Sequence, residues 1–398
     1  MYFKFGIALL LILVLTTGCW DQKELSSRSI WIGSGFDRDG RGDIVLSGQI
    51  LIPGKQGQTG GKGGSSGNGT SHFVVSGMGK NVSQAAADLQ GSLSREVFPS
   101  HRRVVFLGEQ FARDGVTDML DEHSRNPLVR LRTDIFVVKD GTARELIQST
   151  YPLEKIPAIG AYKELEHTSG MKQATFMRFL RAASSDGVSP VLPVISLNRK
   201  GNKIEDVTKQ QSFRMNGIAI FDKKKLKLKG FISQEEALNV NWITGVLNST
   251  TVTTPIPKNQ GRVSIHLSRI GRRILPENHN GKIVFHVKLT GKGVIRENQT
   301  RLDLRSPTNV KLVKQALEVE AAKEIKEIIL KMQNTYQEDI FGFGETLHRK
   351  SPSAWKKIKD NWNNYFTAAE FDVKAELTIT QIGLTGPGLY LREEETIK

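Results

Sequence analysis

The alternation of apolar and polar residues divides the chain into stretches of different character. At the start, Phe5–Leu15 is an unbroken apolar run behind Lys4. At about eleven residues it has the length of a signal-peptide core and falls short of the roughly 20 that a spanning helix needs. Beyond it the pattern switches to short strands and helices. Ser29–Phe36 is β-like and ends at a turn over Asp37–Gly40. Asp43–Ile52 follows, with Val45, Ser47, Gln49 and Leu51 alternating against Leu46, Gly48, Ile50 and Ile52. From Pro53 to Thr70 the pattern vanishes into Gly, Ser, Gln and Lys, a composition that buries nothing and predicts a loop. His72–Val75 resumes as a strand expected to pair with Asp43–Ile52. Asn81–Arg95 is helical, with Val82, Ala85, Ala86, Leu89 and Leu93 on one face. Strands are predicted at Arg102–Leu107 and Thr133–Val138. Helices are predicted at Glu109–Ala112, Val116–His123 and Thr142–Gln148.

Further along, Ser212–Phe221 and Lys225–Phe231 read as a hairpin. The helix Ser233–Gly245 carries a capping box, Ser233 with Glu236 three residues on. Thr250–Thr254 and Arg262–Ile270 are strands, and Lys282–Ile295 alternates Ile283, Phe285, Val287 and Leu289. Pro307–Tyr336 is the longest helix, with an apolar stripe from Val313 through Leu317, Ala321, Ile325 and Ile329 to Met332. Pro352–Phe366 is a tryptophan-bearing helix and Phe371–Thr380 a last strand. The expected fold class is α+β: three mixed α/β domains with largely antiparallel sheets. The units are 19–205, 206–275 and 276–398, preceded by a signal peptide at 1–18.

Composition sharpens the picture at the N-terminus. Cys19 is the only cysteine, and two threonines and Gly18 precede it. Small residues ahead of a cysteine after an apolar core suit the peptidase that cuts before a lipid-modified Cys. Cys19 is therefore the expected first residue of the mature chain, and two acyl chains would anchor it stably where one is marginal. Leu15 stands four residues before the cysteine rather than the usual three, with Thr16 in its place. The net charge is +15 with a pI near 9.7. In an exported protein this points to an anionic membrane surface or wall polymer rather than nucleic acid.

Candidate chemistry is sparse. Gly61-Lys62 lies in the glycine-rich stretch, but Gln56 and Gly63 break the P-loop pattern. The eight histidines form no HExxH and no His/Cys cluster, and there is no Gly-x-Ser-x-Gly elbow. His101, beside Arg102 and Arg103, reads as a surface or structural histidine. No cofactor, metal or catalytic residue is expected, and the chain is read as non-enzymatic.

Several ordered motifs resemble a known family. Cys19-Trp20-Asp21-Gln22-Lys23-Glu24-Leu25, then Ser94-Arg95-Glu96-Val97-Phe98-Pro99-Ser100-His101 and the arginine-rich Arg125–Arg132, are similar to the Ger(x)C lipoproteins. So are Ser189-Pro190-Val191-Leu192-Pro193, Gly217–Phe221 with Trp242, and Asp339-Ile340-Phe341-Gly342-Phe343-Gly344-Glu345. These lipoproteins are the C subunits of spore nutrient-germinant receptors. The resemblance implies a lipid-anchored subunit on the outer face of the spore inner membrane. It also implies partnership with a polytopic A subunit and a transporter-like B subunit in nutrient-triggered germination. Two alternatives stand beside it: a solute-binding lipoprotein of an importer, and a wall-active lipoprotein enzyme. Apparent hairpins argue against the first, and the lack of an acid/base or metal constellation argues against the second.

The last motif is also a candidate site. Glycines alternating with phenylalanines suit a turn that brings the backbone close to something. Either Phe341 and Phe343 plug the core of the last domain, or Asp339, Phe341, Phe343 and Glu345 present a docking surface to a membrane partner, with aromatics as anchors.

Overall fold

A computed structural model describes residues 27–52, 72–149, 151, 154–168, 174–197, 213–256, 261–279, 282–384, 386–388 and 396–397. The expected signal peptide, Cys19, the glycine-rich stretch 53–70 and the expected boundary at 205/206 lie outside these residues.

A nine-stranded sheet organises the first part of the chain. Its strands are β1 (Arg28–Arg38), β2 (Ile44–Leu51), β3 (His72–Gly79), β4 (Glu96–Phe98), β5 (Val104–Gly108), β6 (Asp134–Lys139), β7 (Val191–Leu197), β8 (Phe213–Phe221) and β9 (Leu228–Ile232). They lie in the order β3-β2-β1-β5-β6-β7-β8-β9, with β4 beside β1. β3 pairs antiparallel with β2, so the chain returns to its partner strand after the glycine-rich stretch.

The centre, β1-β5-β6-β7, is parallel. Val104–Leu107 and Ile135–Val138 are fully buried, as strands covered on both faces must be. Six helices supply the covers: α1 (Val82–Gly91), α2 (Glu109–Asp114), α3 (Thr117–Arg125), α4 (Ala143–Gln148), α5 (Pro157–Thr168) and α6 (Phe176–Ser184). The first three and α6 pack on one face, and α4 and α5 on the other. Buried polar side chains tie the layers. Gln49 Nε2 donates to Ile147 O at 2.9 Å, and the Asp37 carboxylate accepts the first N–H groups of α4, from Ala143 and Arg144.

The second sheet has the order β10-β11-β12-β13, from Thr250–Pro255, Arg262–His279, Lys282–Asn298 and Glu370–Gln381. Helix α7 (Gln234–Thr244) starts at the expected capping box, with the Ser233 and Glu236 side chains bonding reciprocally to each other's backbone N–H. The long helix α8 (Pro307–Lys331) lays Val313, Leu317, Ala321, Ile325, Ile328 and Ile329 into the core of this sheet. It ends in a π-turn, Met332–Tyr336. Helices α9 (Phe343–Lys350), α10 (Pro352–Ile358) and α11 (Trp362–Ala368) follow. The single helix expected over Pro352–Phe366 is interrupted at Lys359–Asn361, and Trp355 and Trp362 meet edge to face at 5.3 Å inside one core.

Among the described residues antiparallel pairing predominates, six pairs against five, so the α+β class holds with a parallel centre that apparent hairpins did not suggest. A correction concerns 206–275, whose described residues build no sheet of their own. Its first two strands, β8 and β9, complete the first sheet, and its last two, β10 and β11, begin the second. Alternation explains how β8 serves both. Ile218 and Ile220 join the core of the second sheet, while Ala219 and Phe221, on the opposite face, join the core under α2 and α6. Local periodicity identifies a strand but not its partner.

Candidate functional site

The two sheets meet at the stretch that follows α8, and the Asp339–Glu345 motif forms the joint. The π-turn aims Tyr336 at β9. Its hydroxyl donates to Phe231 O at 2.9 Å, and its ring occupies the space a Cβ at Gly230 would need. Glu338 is buried. One carboxylate oxygen accepts from Lys229 Nζ at 3.0 Å and the other from Ser189 Oγ. Ser189 also donates its backbone N–H to Asp339 O at 2.7 Å.

Asp339 is 1 % exposed, and its carboxylate organises the turn. One oxygen accepts the N–H groups of Phe341 (3.0 Å) and Gly342 (2.9 Å). The other accepts that of Gly344 (2.9 Å) and the indole N–H of Trp362 (3.1 Å). Burial pushes the Asp339 carboxyl up to about 6, even though the donors around it pull in the opposite direction. Gly342 has φ +79°, in the left-handed region. A Cβ on Gly344 would stand 2.7 Å from Gly187 Cα and 2.8 Å from the Trp362 ring. Glu345 N donates to Gly187 O at 3.3 Å, closing this backbone contact between the two units.

These positions correct the docking expectation. Phe343 is fully buried, with its ring 4.7 Å from Phe371 and 4.9 Å from Phe285, and Phe341 is buried beside it at 5.4 Å. Asp339 is spent on internal donors. The three residues hold the core, which is the alternative the sequence offered. Glu345 alone is partly exposed, on the wall of a cavity of about 230 Å³ between the units. Arg178, Arg272 and Arg349 line the same cavity. Arg272 donates to Thr244 O at 2.8 Å and Arg349 to Thr346 Oγ1 at 3.2 Å. The charged groups on the wall are thus three guanidiniums and one carboxylate, set among largely apolar side chains.

Sequence reasoning missed Gly187, Lys229 and Glu338 in this joint. Ser189-Pro190 stood out as a motif, but nothing local ties it to a carboxylate 149 residues away. It also missed a buried relay on the first sheet. Arg102 is 5 % exposed and donates to Ser34 Oγ at 3.0 Å and toward His123 Nε2 at 2.9 Å. His123 Nδ1 lies 2.7 Å from a Glu122 carboxylate oxygen. Burial, and then the Arg102 charge, hold His123 down at about 4, so it is neutral at pH 7. Among the described residues, no three His, Cys, Asp or Glu side chains form a group that could hold a metal.

Comparison with known proteins gives a consistent result. Residues 21–197 match the family described as "Spore germination protein N-terminal domain", and residues 216–383 match "Spore germination B3/ GerAC like, C-terminal". The chain is 28 % identical over 392 residues to spore germination protein KC of Bacillus subtilis (strain 168), covering 95 % of each. It is 30 % identical over 378 residues to YfkR of the same strain, covering 94 % of this chain and 95 % of the other. A solved structure, "Crystal Structure of the GerBC protein", superposes with a TM-score of 0.58 at 21 % identity, covering 90 % of this chain and all of that one.

Proposed function

The chain belongs to the spore germination B3/GerAC-like family, and from that premise we propose that it is the C subunit of a germinant receptor. In this reading it is anchored to the outer face of the spore inner membrane through a lipid on Cys19. It works beside a polytopic A subunit and a transporter-like B subunit in nutrient-triggered germination. The observation that carries the reading is co-linearity: both family regions match in order, and the curated relatives match along nearly their full length. Their names are those of spore germination proteins. The solute-binding alternative gains a parallel centre in the first sheet but no matching second lobe, since the second unit is a four-stranded sheet crossed by one long helix.

Two measurements test the proposal. Labelled palmitate is expected to enter the wild-type chain and not Cys19→Ala, whose maturation also stops. A tagged copy is expected to co-purify with two membrane subunits from detergent-solubilised spore membranes. Normal labelling and maturation of Cys19→Ala refutes the anchor, and recovery of the chain alone refutes the complex.

A further inference from the structure

At one end of the first sheet, two loops bring unpaired cations together. The loop before β5 and the loop before β6 are stitched by Ser100 Oγ donating to Leu128 O at 3.0 Å and Thr133 Oγ1 to Arg102 O at 3.2 Å. Between them lies a cavity of about 360 Å³, rimmed by His101, Arg103, Arg130 and Arg132, with Tyr162 on its wall and Asp134 also lining it. The side chains of Arg103, Arg130 and Arg132 are exposed, and none forms an ion pair with a described residue. Arg103 stands 5.7 Å from the Tyr162 ring. Asp134 does not neutralise the rim: it is buried and accepts the Ala174 N–H at 2.7 Å.

The position of this rim matters as much as its charge. The strands beginning here, β1, β5 and β6, are parallel, so their starts share one end of the sheet. The chain enters the fold at that end. The Arg28 guanidinium lies 4.2 Å from the Phe98 ring, and Phe98 lies 5.5 Å from His101. Cys19 precedes Ser27 by eight residues, a reach of at most about 28 Å. A tether at Cys19 therefore holds the rim within the range of a membrane surface.

We propose that the His101, Arg103, Arg130 and Arg132 rim binds the phosphate groups of anionic phospholipids and sets this end of the first sheet against the membrane. The orientation rests on the lipid-anchor reading, while the lipid contact rests on the rim itself. Guanidinium forks match phosphate oxygens, and each basic side chain near an anionic surface contributes about fivefold in affinity.

The test uses a soluble form beginning at Trp20, which retains every described element and carries no lipid. It is mixed with vesicles of phosphatidylcholine alone or of equimolar phosphatidylglycerol and phosphatidylcholine, and association is read by flotation. The wild type is expected to float with the anionic vesicles only. Replacing Arg103, Arg130 and Arg132 together, Arg→Glu, is expected to weaken association at least tenfold with unchanged circular dichroism. Should that variant unfold, the triple Arg→Ala variant takes its place. A control with Arg269→Glu, Arg273→Glu and Lys292→Glu on the second sheet is expected to stay within about twofold of wild type. No association of the wild type, equal losses in rim and control variants, or capture of inorganic phosphate without vesicle binding each overturns the proposal. Because Cys19 is absent, a negative result leaves the palmitate test of the anchor standing, and the reverse also holds.

Discussion

The joint at Asp339 and the rim at Arg103, Arg130 and Arg132 treat charge in opposite ways. At the joint one buried carboxylate receives four N–H donors, all from within the chain. At the rim three guanidiniums face solvent, none of them in an ion pair with a described residue, and the one carboxylate on the cavity wall, Asp134, is buried. The contrast is sharpest between neighbours. Arg102 turns inward to Ser34 and His123, while Arg103 turns outward. A buried ion with every partner internal specifies a fold, because losing any partner leaves a desolvated group behind. Exposed charges without partners add little to stability and remain available to something else.

The largest test of this comparison is Asp339→Ala. It strands three backbone donors and an indole in the interior, so the loss of stability is expected to be roughly 4 kcal/mol or more. A fall in the urea midpoint at unchanged slope would report it. A variant as stable as wild type but unable to co-purify with the receptor subunits would break the comparison and return the motif to a docking role.

Next in size is the pH dependence that His123 imposes. Its folded pKa, about 4, lies below the unfolded value of 6.5. The folded state therefore binds fewer protons, and this contribution is complete above about pH 6.5 and lost as pH falls toward 4. The loss is roughly 3 kcal/mol over that window. Asp339 and Asp134, both raised to about 6 by burial, act in the opposite direction. The measurement is accordingly a difference. Stability against pH for the wild type minus that for His123→Gln, which keeps an acceptor for Arg102, is expected to slope between pH 4 and 6.5. Parallel curves would refute the neutral buried histidine.

The smallest effect is expected at the rim. Arg130→Ala and Arg132→Ala should change unfolding free energy by no more than about 0.5 kcal/mol. A loss several times larger in denaturant titrations would move these arginines into the same class as Arg102.

Much of this was legible beforehand. The strands Ser29–Phe36, Asp43–Ile52 and Phe371–Thr380, the capping box at Ser233 and the stripe of the long helix all follow from local periodicity and end chemistry, and the structure has them. The motifs likewise carried the family, since co-linear short matches need no coordinates. What sequence could not supply was partnership. Strand β8 places Phe213 and Met215 in one core, Ile218 and Ile220 in a second, and Ala219 and Phe221 in a third. The 206–275 stretch reads as a unit yet is divided between two sheets, and the two family regions interlock where β7 pairs with β8. Glu338, Ser189 and Lys229 are far apart in the chain and meet only in the joint between the two sheets. Whether a polar residue is buried and paired or exposed and unpaired depends on contacts made across the chain. A window of neighbours fixes backbone preference and the face a side chain takes, and the tertiary packing decides what stands opposite it.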